Sequence, residues 1–191
     1  MQKVLKHLRG NDPYTIIQTK NERSNITMNI LYIHGLDSKL NAPKKTILET
    51  YGRVFAPDID YYGTPNAISS ILEQYAKVDI NTVIGSSMGG FAGYYIADAL
   101  NRPALLFNPA LKYRPVEQIV PPIEGHLPSF KQIVIGQRDD IVKPVDTLSF
   151  LAEDLNRFTD YHIILRHEMQ HRVEISCFEG ELEAFFGKIC Y

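Results

Sequence analysis

At 191 residues, 45% of them hydrophobic, the chain has the size and apolar content of one globular domain with a substantial core. Twenty Lys and Arg against 22 Asp and Glu give a formal charge of −2 with no long block of one sign, so electrostatics makes no case for nucleic acid or an anionic membrane as partner. The two cysteines, Cys177 and Cys190, form neither a metal-type pair nor a disulfide framework, and no apolar run reaches the ~18–20 residues of a membrane span. A reducing, cytoplasmic setting is the expectation.

Residues 1–27 read as a polar, irregular N-terminal extension without the apolar centre of a signal peptide; only "YTIIQTK" (14–20) has the look of an extra edge strand. From residue 28 to 191 strand-like and helix-like segments alternate. "NILYIH" (29–34) opens the series, and "NAPKKTILETYG" follows as a helix with Asn41 as N-cap, Pro43 in its first turn and Gly52 just past its end. "RVFAPDI" (53–59) is the second strand. "TPNAISSILEQYAK" is a helix with Thr64 as N-cap and Pro65 first inside, its Ile68, Ile71, Leu72 and Tyr75 on one face. "NTVIGS" (81–86) leads into an apolar helix over 87–100, and "PALLFN" (103–108) is the fourth strand. A connection with five prolines over 109–129 is a candidate lid or pocket wall, or a plain surface excursion. "FKQIVIG" (130–136), "PVDTLSFLAEDLNRF", "YHIILR" (161–166) and "RVEISCFEGELEAFFG" then give strand, helix, strand, helix. The strands are continuous apolar runs rather than alternating ones, which suits a mostly parallel sheet covered on both faces. Functional loops then belong at the carboxyl ends of the strands.

The chemistry enters at the third strand. Gly85-Ser86-Ser87-Met88-Gly89 is a G-x-S-x-G motif placed after a strand and opening a helix. A serine on so sharp a turn is held with its hydroxyl exposed, and the helix N-terminus behind it favours developing negative charge. A Gly/Ser-rich turn without chemistry is the competing reading of the motif alone. After the first strand, His34-Gly35-Leu36-Asp37-Ser38 offers a second oxyanion donor: Met88 and Leu36 N–H groups would hold a tetrahedral intermediate. His34 suits loop shaping better than base chemistry.

A serine nucleophile needs an acid and a base, in that chain order after it. "IGQRDDIVKP" follows the fifth strand with Asp139 favoured as the acid and Asp140 as the alternative. "HEMQH" follows the sixth, and its second histidine, His171, stands at the mouth of the last helix as the base, with His167 a neighbour. The same five letters spell H-E-x-x-H, a zinc-protease pattern. That reading requires 167–171 to be helical and requires a third ligand, and it leaves the serine motif unexplained.

"ILYIHGLDSKLNAPKK", "VIGSSMGGFAGYYIA", "LLFNPAL", "GQRDDIV" and "QHRVEISCFEGELEAFF" together resemble the small YqiA-like esterases of the α/β-hydrolase superfamily over roughly residues 28–187. The Asn108-Pro109-Ala110 match enters through this resemblance alone. The resemblance implies a minimal α/β-hydrolase fold with little or no cap, strand order 2-1-3-4-5-6, and a Ser87–His171–Asp139 triad. It implies hydrolysis of carboxylic esters or thioesters and needs no cofactor and no metal; the small lid region suggests a shallow, open site that suits short acyl chains better than long lipids. His34, Tyr61, Tyr62 and Tyr113 are candidate substrate-binding residues. A non-catalytic binding protein on the same fold is the alternative function, with a zinc peptidase as a remote one. Oligomeric state has no signal in the sequence.

Overall fold

The computed structural model describes residues 28–122, 129–154 and 160–190. The extension 1–27 with its expected edge strand, part of the proline-rich connection, and the end of the fourth expected helix lie outside the described residues.

The elements follow in the order β1 (Met28–Ile33), α1 (Ala42–Glu49), β2 (Gly52–Phe55), α2 (Ala67–Gln74), β3 (Thr82–Ser86), α3 (Met88–Leu100), β4 (Ala104–Phe107), β5 (Phe130–Gly136), α4 (Pro144–Asp154), β6 (Asp160–Arg166) and α5 (Ile175–Ile189). The sheet runs β2-β1-β3-β4-β5-β6, and every pairing is parallel. This is the expected order. It places β3 near the middle, so the turn after it is walled on both sides by other strands' loops.

The continuous apolar runs have the expected cause. In β1, Leu31 and Ile33 face a core formed with α2, α3 and α4, while Ile30 and Tyr32 face a second core formed with α1 and α5. Strand periodicity sends neighbours to opposite faces, and both faces are covered. Each fully buried aliphatic or aromatic side chain contributes about 1.5–3 kcal/mol of transfer free energy, and Ile33, Ile84, Phe91, Leu105 and Phe185 are all wholly buried. Thr82, Lys131 and Gln132 break the apolar rule, Lys131 most sharply. Lys131 on β5 is fully buried and ion-pairs with Asp98 of α3, while also reaching Ser129 Oγ at 3.2 Å and lying over the Tyr94 ring.

Several sequence expectations shift in detail. Asn41 caps α1 as expected, its Oδ1 accepting from Lys44 N at 3.0 Å. Gly52, however, is not a helix stop: α1 ends at Glu49, and Gly52 begins β2. A side chain there would collide with the Met28 carbonyl of β1 at 2.1 Å. The second helix starts at Ala67 with Asn66 before it, not at Pro65. The reason is tertiary: the Pro65 carbonyl accepts Ile119 N at 2.7 Å, which ties the 64–66 turn to the long connection. The second strand stops at Phe55 rather than running to 59. Pro57 has no N–H to give a ladder, and the Ile59 N–H goes to the His34 ring instead, at 3.0 Å.

Candidate active site

All strands point the same way, so the loops after β1, β3, β4, β5 and β6 share one end of the sheet. Ser87 occupies the turn between β3 and α3 with φ 57° and ψ −120°. A non-glycine residue adopts that backbone only where its surroundings impose it, at a cost of about 1–3 kcal/mol. Here glycine supplies the room. A side chain at Gly89 would lie 2.1 Å from the Ile33 carbonyl and 2.4 Å from that of His34, so α3 could not begin so close to β1 with any other residue. Ser87 N donates to the Phe107 carbonyl at 3.0 Å, and the Ser87 carbonyl accepts Phe91 N and Ala110 N at 3.0 and 3.1 Å. Met88 is the first residue of α3, where a backbone N–H has no acceptor within the helix.

The acid and base expectations meet in space. His171 Nδ1 and Asp139 Oδ2 are 2.8 Å apart. The Asp139 side chain is wholly buried, whereas the His171 side chain is 23% exposed. The second carboxylate oxygen, Oδ1, accepts Ile141 N at 2.9 Å and Val142 N at 2.8 Å. A carboxylate taken from water is tolerable when every oxygen has donors, as here. Asp140, the alternative acid, is exposed.

Residues 167–171 form a turn and loop, not a helix, so His167 and His171 do not share a helical face. His167 turns instead to Gln137, Nδ1 to Oε1 2.8 Å. The zinc pattern therefore lacks the helix its spacing requires. Among the described residues no group of three or more His, Cys, Asp or Glu side chains converges as a metal site would.

On the other side of Ser87 lies the loop after β1. A side chain at Gly35 would stand 3.3 Å from Ser87 Cβ, so the 35–36 backbone runs directly beside the serine. His34 is buried, and both its ring nitrogens are bound: Nε2 accepts Ile59 N at 3.0 Å, so Nδ1 carries the proton and donates to the Gly35 carbonyl at 2.7 Å. Tyr61, also buried, donates to the His34 carbonyl at 2.8 Å, and burial pushes its phenol pKa up. A cavity of about 260 Å³ adjoins this loop, lined by His34, Leu36, Asp37, Asp58, Tyr61 and Tyr62. Tyr62 is exposed and donates to Asp37 Oδ2 at 3.2 Å. Tyr113 is exposed and is not among that cavity's lining.

Sequence reasoning assigned no role to Asn108. It sits at the end of β4 with φ 42°, buried, with its side chain bound to the acid and base loops. The sequence sign was the Asn108-Pro109-Ala110 match to the family, which carried no role with it.

Comparison with known proteins bears on the whole arrangement. A model described as "Uncharacterised protein family (UPF0227)" matches residues 29–141. Among curated proteins none matches the chain in sequence. Solved structures share the fold at low identity. SOBER1 of Arabidopsis thaliana is 13% identical, with a TM-score of 0.63 over 86% of this chain and 99% of that one. Est1E of Butyrivibrio proteoclasticus is 16% identical, with a TM-score of 0.63 over 86% and 88%. The fluorophosphonate-binding serine hydrolase FphF of Staphylococcus aureus is 16% identical, with a TM-score of 0.61 over 90% and 88%. The fold is thus that of α/β-hydrolases, esterases among them.

Proposed function

The chain belongs to the YqiA-like family UPF0227, and on that premise we propose that it is a serine hydrolase acting on small carboxylic esters or thioesters through an acyl-enzyme. The observation that carries this reading is the buried Asp139 carboxylate holding the His171 imidazole at the same sheet end as a backbone-strained Ser87. His171 Nδ1 donates to Asp139, which leaves Nε2 as the basic nitrogen. Nε2 takes the Ser87 hydroxyl proton as Oγ attacks the substrate carbonyl. The oxyanion is held by the Met88 and Leu36 N–H groups, each donor worth roughly 2.7–4 kcal/mol by analogy with measured cases. The imidazolium, stabilised by Asp139, then protonates the departing alcohol or thiol, and water repeats the sequence to release the acid.

The cavity beside Leu36 is small and open, which favours short acyl chains over long lipids. Tyr61 and Tyr62 form its wall in this reading, with His34 shaping the loop and Tyr113 at the rim of the exposed connection. No helix among the described residues is long and apolar enough to cross a membrane. Cys177 and Cys190 are free thiols, consistent with the cytoplasmic setting proposed here.

The test is labelling by a fluorophosphonate probe, native chain against Ser87→Ala, each with and without EDTA. Labelling lost in Ser87→Ala and indifferent to EDTA is the expected result. A folded native chain that does not label would overturn the mechanism in favour of a binding role on the same fold.

A further inference from the structure

The triad drawn above skips a strand. Its members follow β3, β5 and β6, while β4 lies between β3 and β5 in the sheet. The turn that leaves β4, Phe107 to Ala110, touches the backbone around all three. The Phe107 carbonyl and the Ala110 N–H bond the Ser87 peptide on its two sides. Between them Asn108 reaches the other way. Its Oδ1 accepts Gly136 N at 2.7 Å, where the acid loop begins, and its Nδ2 donates to the carbonyls of Gln170 at 2.9 Å and His171 at 3.3 Å. Its own N–H donates to the Val134 carbonyl at 2.8 Å. The Pro109 carbonyl accepts Thr147 Oγ1 at 3.1 Å, which fixes the turn to α4 as well.

From this contact set we infer that Asn108 is a positioning residue, one that sets the distance and angle between the His171 ring and the Asp139 carboxylate and holds both in register with Ser87. The inference rests on the hydrolase reading for its catalytic meaning, though not for its geometry. Few side chains suit the position. The role needs one acceptor and two donors on a short stem, which an amide supplies and a carboxylate or hydroxyl does not. The backbone needs φ 42°, which asparagine tolerates better than most non-glycine residues. At 1% exposure there is little water to replace a lost bond, so two carbonyls and one N–H depend on this amide.

The experiment uses the full chain as Asn108→Gly, which keeps the backbone comfortable and deletes the amide, and as Asn108→Asp, which keeps size and acceptors and deletes both donors. Ile96→Val, a buried change in α3 between two and three helical turns past Ser87, is the control for general loosening. Two signals are read: the downfield proton resonance of the imidazole N–H shared by His171 and Asp139, and the rate of fluorophosphonate labelling. The expected result is that both Asn108 variants stay folded by circular dichroism, lose or broaden the resonance, and label about 10²-fold more slowly, the order of loss for a misplaced catalytic group. Ile96→Val keeps the native resonance and rate. Should Asn108→Gly not fold, Asn108→Asp carries the test alone, with the same outcomes.

A folded Asn108 variant with native resonance and native rate overturns the inference, as does loss of the resonance in Ile96→Val to the same degree. A native chain that shows the resonance but never labels, with the resonance still lost in the Asn108 variants, supports the positioning role while removing the hydrolase reading.

Discussion

Strand β5 holds a buried charge problem at each of its ends, and the two are solved differently. At its start, Lys131 is fully buried and its partner Asp98 largely so, an amine closed on a carboxylate with Ser129 and the Tyr94 ring around them. Three residues past its end, Asp139 is equally buried, but its partner is an imidazole with nearly a quarter of its side chain in solvent. The first pair is closed, each group turned on the other. The second pairs the carboxylate with an imidazole partly open to solvent, whose far nitrogen is the base of the proposed mechanism. In the proposed mechanism, burial alone therefore does not mark the catalytic carboxylate; what it faces does.

That contrast can be broken from either side. The largest effect is expected at the carboxyl end. Asp139→Asn keeps an oxygen for the Ile141 and Val142 N–H groups, so the loop should hold, but it turns an amide donor toward His171 and imposes the wrong tautomer. Ester hydrolysis or probe labelling should fall about 10⁴-fold, with a near-native melting curve. At the amino end the pattern inverts. Lys131→Met strands the Asp98 carboxylate and should cost about 3–5 kcal/mol in urea unfolding, with the labelling rate of the folded fraction unchanged. Pairing it with Asp98→Leu should restore most of that loss, because the pair's attraction largely offsets its desolvation. A Lys131→Met chain that remains stable but stops labelling would dissolve the distinction.

A smaller, pH-dependent effect sharpens the comparison. Tyr32 on β1 is buried, and burial raises its phenol pKa from 10.0 to about 12. The folded state thus keeps the proton longer than the unfolded chain. The stability this contributes is whole below about pH 10 and is lost as pH climbs to about 12, on the order of 2 kcal/mol. Denaturant midpoints measured across that window should fall less in Tyr32→Phe than in the native chain. Equal slopes would mean the phenol is not held neutral by the core.

The strands were legible because each is an apolar run of strand length, while their order came from the family resemblance and not from the pattern itself. The Asp139–His171 pairing could be anticipated because both residues stand just past a strand end, in the chain order the proposed serine nucleophile would require. What escaped depends on partners far along the chain. The start of α2 is displaced by Ile119 bonding to Pro65, and β2 is cut short where His34 captures the Ile59 N–H. The last helix begins at Ile175 rather than 172, with Val173 buried ahead of it. Asn108 is the extreme case. Its side chain is defined by Gly136, Gln170 and His171, and no local pattern around residue 108 encodes any of them.

The ring of His34 has one more consequence. Its Nδ1–H fixes the Gly35 carbonyl, and that carbonyl belongs to the same rigid peptide plane as the Leu36 N–H. Turning the plane would strip the carbonyl of its donor, while the ring itself is pinned from behind by Ile59. The proposed oxyanion donor is therefore aimed before any substrate arrives. The dipole needs no reorientation as charge develops, and the direction of that aim is set by which nitrogen of a neutral imidazole carries its proton.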